Sequence, residues 1–378
     1  MSEQIYTNYR LQLPNEEVLG TLVVRDGAIA DIQPGVVSTG HNGGGDYLMP
    51  GLIELHTDNV ERCIAPRPGI EWPIAAAAVS HDREVISAGI TTVYDAISIG
   101  DFKSRSLRLT HCEAMMDAIL HGQLAGRFAA DHRIHLRCEI SYEHAFPSAE
   151  VHLRNPLVSL MSLMDHTPGQ RQFVRMDKFK QYYMGKHGVS PDEIEDFIQQ
   201  RYQDQEKYSL QNRKSLVNLA KQNNIALASH DDATTAHVQE AIEDGAAIAE
   251  FPTTLEAARE AHQHNLHVLM GAPNIVLGKS HSGNVSAMEL VKRDQLDILS
   301  SDYAPQSLLQ AIFVITKKTG KPLHEAMQVV TSNPAKAVNL FGDRGSLEVG
   351  KRADLIAVRD DGTVPRLTAV MRQGLRVA

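Results

Sequence analysis

Two patterns of apolar and polar residues alternate along this chain. Near the N-terminus, RLQLP (10–14) and EVLGTLVVRDGAIADIQPG (17–35) set apolar residues at every second position, the period of half-buried strands. Turn signals at Asp26-Gly27 and Pro34-Gly35 divide them, and a Gly-rich loop, HNGGGD, closes the section. Residues 345–378 (GSLEVGKRADLIAVRDDGTVPRLTAVMRQGLRVA) have the same character, with a turn at Asp361-Gly362. Two β-rich ends around a different middle predict one small β domain built from residues 1–50 and 345–378.

The middle, residues 51–344, alternates short apolar runs with helical patterns, which predicts βαβ units and a parallel sheet. The runs are GLIEL (51–55), ITTVYD (90–95), IHLRCE (134–139), the stretch from Leu157 to Asp165, IALASH (225–230), AAIAEF (246–251), HVLMGA (267–272) and LDILSS (296–301). Eight strands are the number that closes a (β/α)8 barrel. Amphipathic segments such as EAMMDAILHGQL and AMELVKRDQL lie between them. The connection after the fourth run is the longest, at about 170–212, and its charged segment DEIEDFIQQRYQDQEKY predicts a helical lid. No internal repeat or low-complexity tract is present.

The 378 residues suit two ordinary domains or one large barrel with additions. With 37 Lys+Arg against 46 Asp+Glu, the net charge of −9 argues against nucleic acid as a partner, because backbone phosphates demand a basic face. Any anionic ligand then needs a local basic pocket. Cys63, Cys112 and Cys138 form no CxxC pair, so a disulfide framework is not expected. The start MSEQIYTNYR lacks the features of a signal peptide, and no apolar stretch approaches the roughly 18 residues of a membrane helix. These features predict a reduced, cytoplasmic protein with no membrane partner. A homo-oligomer stays open.

Histidine is the unusual count, at 18. Strands of such a barrel are buried on both faces, so a charged residue in one is costly unless paired or metal-bound. Nearly every run nevertheless ends in one: His56-x-Asp58, Asp95, Glu139, Asp165-His166, His230-Asp231-Asp232, Glu250 and Asp302. Active sites of these barrels lie at the C-terminal strand ends, and convergent His and carboxylate groups match Zn²⁺ or Mn²⁺. His56 and Asp58 alternate on a strand and so point the same way. Asp231, Asp232 and Glu250 are read instead as helix caps or salt-bridged loop residues. His262, His264 and His267 read as surface residues. His81-Asp82 opens the helical pattern before the second run, where Asp82 suits a first-turn dipole role.

These residues have a family resemblance. DYLMPGLIELHTD resembles the first-strand signature of the amidohydrolase superfamily, GSLEVGKRADLIAV its closing β-domain signature, and Asp302 in ILSSDYAP its eighth-strand aspartate. GLIELHTDN, APRPGIEWP, HLRCE, VSLMDHTPGQRQF, ALASHDDAT, AEFPTT, LMGAPNIV, SHSGNVSA and DILSSDY together resemble one branch, the diphosphatases of phosphonate utilisation in the carbon–phosphorus lyase pathway. That resemblance implies metal-dependent hydrolysis of α-D-ribose 1-methylphosphonate 5-triphosphate to the 5-phosphate and pyrophosphate. The superfamily's commoner chemistry, on cyclic amides or N-acyl amino acids, is the alternative.

Three departures stand against a wholesale transfer of ligands. The first strand carries His56-x-Asp58 in place of His-x-His, Asp165-His166 stands where a carboxylated lysine is usual, and Glu250 replaces the sixth-strand histidine. His56, His230 and Asp302 match the family positions; Asp58, Glu139 and His166 complete the expected set because each ends a strand. One or two divalent ions are expected, zinc first and manganese as the alternative. Asp302 is expected to bind metal and to accept a proton from the attacking water. Arg67, Arg171, Lys279 and His281 are the candidate grips for the anionic triphosphate, Arg as a fork and Lys as a point charge. Trp72 and Tyr303 are candidates to line the ribose.

Overall fold

The structure, a computed structural model, describes residues 3–101, 107–171, 176, 180, 184, 190, 192–280 and 284–378. His281 and most of residues 172–191 in the expected lid lie outside them. The strands, in chain order, are β1 (Glu3–Gln12), β2 (Glu17–Arg25), β3 (Ala28–Pro34), β4 (His41–Asn42), β5 (Tyr47–Pro50), β6 (Leu52–Thr57), β7 (Ile90–Ile99) and β8 (Asp131–Glu139). They continue as β9 (Val158–Met164), β10 (Ala226–His230), β11 (Ile248–Glu250), β12 (His267–Gly271), β13 (Ile298–Ser300), β14 (Leu355–Arg359), β15 (Arg366–Arg372) and β16 (Leu375–Arg376).

Both ends of the chain form one sheet, ordered β16-β15-β14-β5-β1-β2-β3, with β4 beside β1. Asp26 and Gly27 take φ of 50° and 83°, the left-handed pair that a tight hairpin between β2 and β3 demands. Alternation then gives the sheet one apolar face. Leu11, Leu22, Ile29, Leu48, Leu347 and Leu355 meet there, all 1% exposed or less.

The second sheet holds the other eight strands in the order β13-β12-β11-β10-β9-β8-β7-β6, a (β/α)8 barrel. Each of the eight apolar runs is one of these strands. By compactness the chain divides into two units, Met1–Asp95 with Ala118–Arg133 and Met270–Ala378, and Ala96–Asp117 with Ile134–Leu269. The terminal sheet, β6 and β13 belong to the first. There Gly51 passes so close to Thr91 that a Cβ would lie 2.2 Å from its hydroxyl, so the entry to β6 admits no side chain. The charged segment 192–208 is helical, as Ile194–Asp204 followed by a π turn at Gln205–Ser209. No described helix is long and apolar enough to cross a membrane.

Two expectations need correction. Asp95 does not end its strand, because Ala96–Ile99 continue the apolar run and carry β7 on to Ile99. His81 and Asp82 do not open a helix; they sit inside the helix Ile74–Ser87, with both side chains fully buried. The three residues belong to one network. His81 Nε2 and His132 Nδ1 lie 2.6 and 2.7 Å from the two Asp95 oxygens, and His132 Nε2 lies 3.3 Å from Asp82. Asp82 also accepts from the backbone N–H groups of Ala129 and Ala130. Arg62 donates to Asn59 Oδ1, so the Asn59 amide nitrogen donates to His81 Nδ1 and makes it an acceptor. His81 thus bridges Asn59 and Asp95, while His132 is an imidazolium between two aspartates.

Burial opposes the charge on His132, but Asp95 and Asp82 outweigh it and hold its pKa up at about 9. Burial likewise opposes the Asp95 anion, and His132 and His81 bring it down to about 2. Because His132 is raised from 6.5, its stabilisation is complete below that value and is lost as pH climbs through about 9. Because Asp95 is lowered from 3.8, its contribution is present above that value and is lost as pH falls towards about 2. Thermal unfolding is expected to show a Tm that falls between pH 6.5 and about 9, and a His132→Asn variant that is less stable and flat over that window. An unaltered slope in the variant would assign the alkaline loss to other groups.

Candidate active site

In the first unit, the side chain of Glu54 on β6 is completely buried and joins the first barrel strand to the last. It accepts from the backbone N–H groups of His56 and Ser301, and its Oε1 lies 2.7 Å from the Ser300 hydroxyl. Burial pushes this carboxyl up, the hydrogen bonds from Ser300, Ser301 and His56 work against it, and the balance is about 7. His56 follows two residues later on the same face and is 3% exposed. Asp58 is half-buried and flanks the N-terminus of the helix Asn59–Ile64.

Asp302 follows β13 with a φ of 55°, a left-handed backbone that a non-glycine residue holds only under constraint. Two hydroxyls supply the constraint. Thr57 donates to the Asp302 carbonyl at 2.6 Å, and the Asp302 N–H donates to Ser300 Oγ at 3.2 Å. Asn59 N–H in turn donates to Thr57.

In the second unit, Glu139, His166 and His230 come together, as their strand-end positions predict. His166 Nδ1 donates to Glu139 at 2.7 Å, and His230 Nδ1 donates to Asp231 at 2.9 Å. Each ring therefore has its tautomer set by a carboxylate, which places the lone pair on Nε2. The two rings lie 5.8 Å apart between centroids. Burial disfavours the charged form of His166, yet Glu139 and then Asp231 prevail and raise its pKa. Burial also opposes the Asp231 anion, and His230 and His166 lower its pKa regardless. Glu139 has further acceptor duties towards the Ser141 hydroxyl and the His166 backbone N–H. Asp231, read from sequence as a cap or loop acid, instead sits with both histidines, and its φ of 57° turns it there. Nothing in its local pattern separates it from Asp232, which is an ion-pair residue as read.

Arg171 is 5% exposed and held by Asp232 and by Glu240 at 2.8 Å. It also reaches the His230 carbonyl at 3.4 Å. Asp165 accepts from Thr167 N–H and from Gln205 of the π turn, so it anchors a loop. Arg67 and Lys279 are exposed loop cations, and Trp72 and Tyr303 are 54% and 46% exposed.

The description "Amidohydrolase family" matches residues 47–375. The chain is 45% identical to the α-D-ribose 1-methylphosphonate 5-triphosphate diphosphatase of Escherichia coli (strain K12), over 99% of its own length and 100% of that protein's. It belongs to the amidohydrolase family. Solved structures show the same fold at low identity. They include an N-acetylglucosamine-6-phosphate deacetylase from Pasteurella multocida (15% identity, TM-score 0.64, 100% of both chains). A D-hydantoinase is similar at 14% identity and a TM-score of 0.59, over 100% of this chain and 95% of that one.

Amidohydrolases are metal-dependent, and this member has donor sets that fit a cation. His166, His230 and Asp231 each offer one ligand atom, all within 4.8 Å of one another, and both rings are already oriented by carboxylates. The ligand atoms of His81, Asp95 and His132 also lie within 4.8 Å of one another, but this group is different in kind. Each Asp95 oxygen there accepts directly from one ring, so hydrogen bonds fill the space.

The seam residue gives a stability test. Replacing Glu54 by Ala leaves the backbone N–H groups of His56 and Ser301 buried without their acceptor, at an expected cost of about 3–5 kcal/mol. Glu54→Gln keeps the shape and one acceptor and should cost about half as much or less. Urea unfolding measures both, and equal costs would mean that the hydrogen bonds contribute little.

Proposed function

We propose that this amidohydrolase hydrolyses α-D-ribose 1-methylphosphonate 5-triphosphate to the 5-phosphate and pyrophosphate, in phosphonate breakdown. The observation that carries this is the 45% identity to the diphosphatase, which runs over 99% of the chain and so takes in every strand end. Zinc is the proposed metal, with manganese as the alternative, and one or two ions are bound. His56, Asp58 and Asp302 are the proposed ligands of the first unit, and His166, His230 and Asp231 those of the second. Glu139, expected as a ligand, is assigned here to orienting His166, since its oxygens already accept from that residue's ring and backbone.

When bound, the metal supplies positive charge against phosphoryl oxygens and acidity to water. Asp302 accepts the proton of the attacking water at its carboxylate, which remains ionised beside a cation. Thr57 and Ser300 hold the Asp302 backbone in its left-handed conformation. The exposed Arg67 and Lys279 attract the polyanion, against a net charge of −9 for the whole chain. Arg171 acts behind them, fixing the end of β10 through Asp232 and the His230 carbonyl.

Purified protein supplied with Zn²⁺ or Mn²⁺ is expected to release pyrophosphate from this substrate, seen by ³¹P NMR, and to leave an N-acyl amino acid intact. Asp302→Asn should lower turnover by about 10³-fold or more, in line with loss of a general base and a charge. Chelation should abolish activity and re-addition restore it. Thr57→Val should lower kcat about tenfold with little change in KM, while Thr57→Ser stays near wild type. Amide cleavage with an intact triphosphate would overturn the proposed substrate and leave the family assignment in place.

A further inference from the structure

Four arginines are buried among the described residues: Arg137, Arg171, Arg213 and Arg344. Three have acids. Arg171 pairs with Asp232 and Glu240, Arg213 with Asp244 and Glu240, and Arg344 with Asp131 and Asp343. Arg137, at 8% exposure, has neither an ion pair nor a hydrogen bond among the described residues, and its Nε is buried without an acceptor. A guanidinium taken out of water with nothing to pair is strongly disfavoured unless an anion reaches it.

The position of Arg137 indicates where that anion arrives. His135, Arg137 and Glu139 alternate along β8 and therefore share one face. On that face His135 meets Ser162 of β9 at 2.9 Å, and Glu139 meets His166. Arg137 lies between them, close enough that its charge acts on both His166 and Asp231. All of these residues belong to the second unit. We propose that Arg137 is a substrate-binding residue that grips a phosphoryl oxygen of the polyphosphate beside the His166–His230–Asp231 group. The planar guanidinium fork matches a tetrahedral oxyanion and has no charge to meet on an amide carbonyl, so the same residue favours phosphoanhydrides over amides. The identity of the anion rests on the proposed function; the presence of an anion site rests on a buried guanidinium with no ion pair or hydrogen bond among the described residues.

The test is calorimetric titration of metal-loaded protein with inorganic pyrophosphate and, separately, with methylphosphonate. Arg137→Met is expected to weaken pyrophosphate binding about tenfold to a hundredfold, the range of one charge-assisted contact. Arg137→Lys should recover part of it, and methylphosphonate binding should not change. Without ligand, Arg137→Met should keep its metal content and have a Tm equal to or above wild type, because the charge removed makes no ion pair or hydrogen bond among the described residues. Added guanidinium ion should restore turnover to an Arg137→Ala variant. The inference is overturned by wild-type protein that does not bind pyrophosphate, by equal binding in Arg137→Met, or by a Tm several degrees lower in that variant. Selective loss of methylphosphonate binding would overturn the phosphoryl assignment. If pyrophosphate binding depends on Arg137 but wild type leaves the sugar triphosphate intact, the proposed reaction fails and the anion site stands.

Discussion

The buried carboxyl of Glu54 is the constraint on which the rest of the first unit depends. The first and last barrel strands are about 240 residues apart in sequence, and here a single side chain on β6 accepts from Ser300 of β13 and from Ser301 just beyond it. The same carboxyl accepts the backbone N–H of His56, so the join between strands also sets where the strand-end histidine sits. Ser300 then passes the order on to Asp302, whose N–H it accepts, and Thr57 completes the hold from the β6 side. Fold closure and site geometry are one set of hydrogen bonds.

A second rule operates at the strand ends of the other unit. Asp231 follows β10 and Phe251 follows β11, with φ of 57° and 52°, as Asp302 does after β13. A left-handed residue at each place turns the chain off the strand sharply and redirects the next side chain. Such backbone is unfavourable for non-glycine residues and persists where surrounding contacts determine it. Around it, histidine rings are pinned by carboxylates, His166 by Glu139 and His230 by Asp231. Carboxylates that favour a proton on a buried ring favour a cation beside it for the same electrostatic reason.

Several other buried charges among the described residues meet an opposite charge nearby. Asp82, Asp95 and His132 form a closed set, as do Arg171 and Arg213 with their acids. Arg137, buried without an ion pair or hydrogen bond among the described residues, stands outside this pattern, on the same strand face as Glu139.

Much of this was legible in the residues themselves. Periodicity located all eight barrel strands and the main strands of the terminal sheet, because alternation and apolar runs are properties of neighbours in sequence. It also marked His56, His166, His230, Glu139 and Asp302 as strand-end groups. Local pattern could not rank acids of equal spacing. Asp231 and Asp232 are adjacent, yet one sits with two histidines and the other with Arg171. Asp82 and Asp95 looked like a helix opener and a strand terminus, and His132, 37 residues beyond Asp95, made them a buried ion cluster. Glu54 and Arg137 lie inside apolar runs where a charge signals cost without naming its partner. The sequence by itself determined which segments become strands, since that choice depends on the hydrophobic period. Only the tertiary structure decided which charges are paired, because pairing depends on distance through space between residues far apart in the chain.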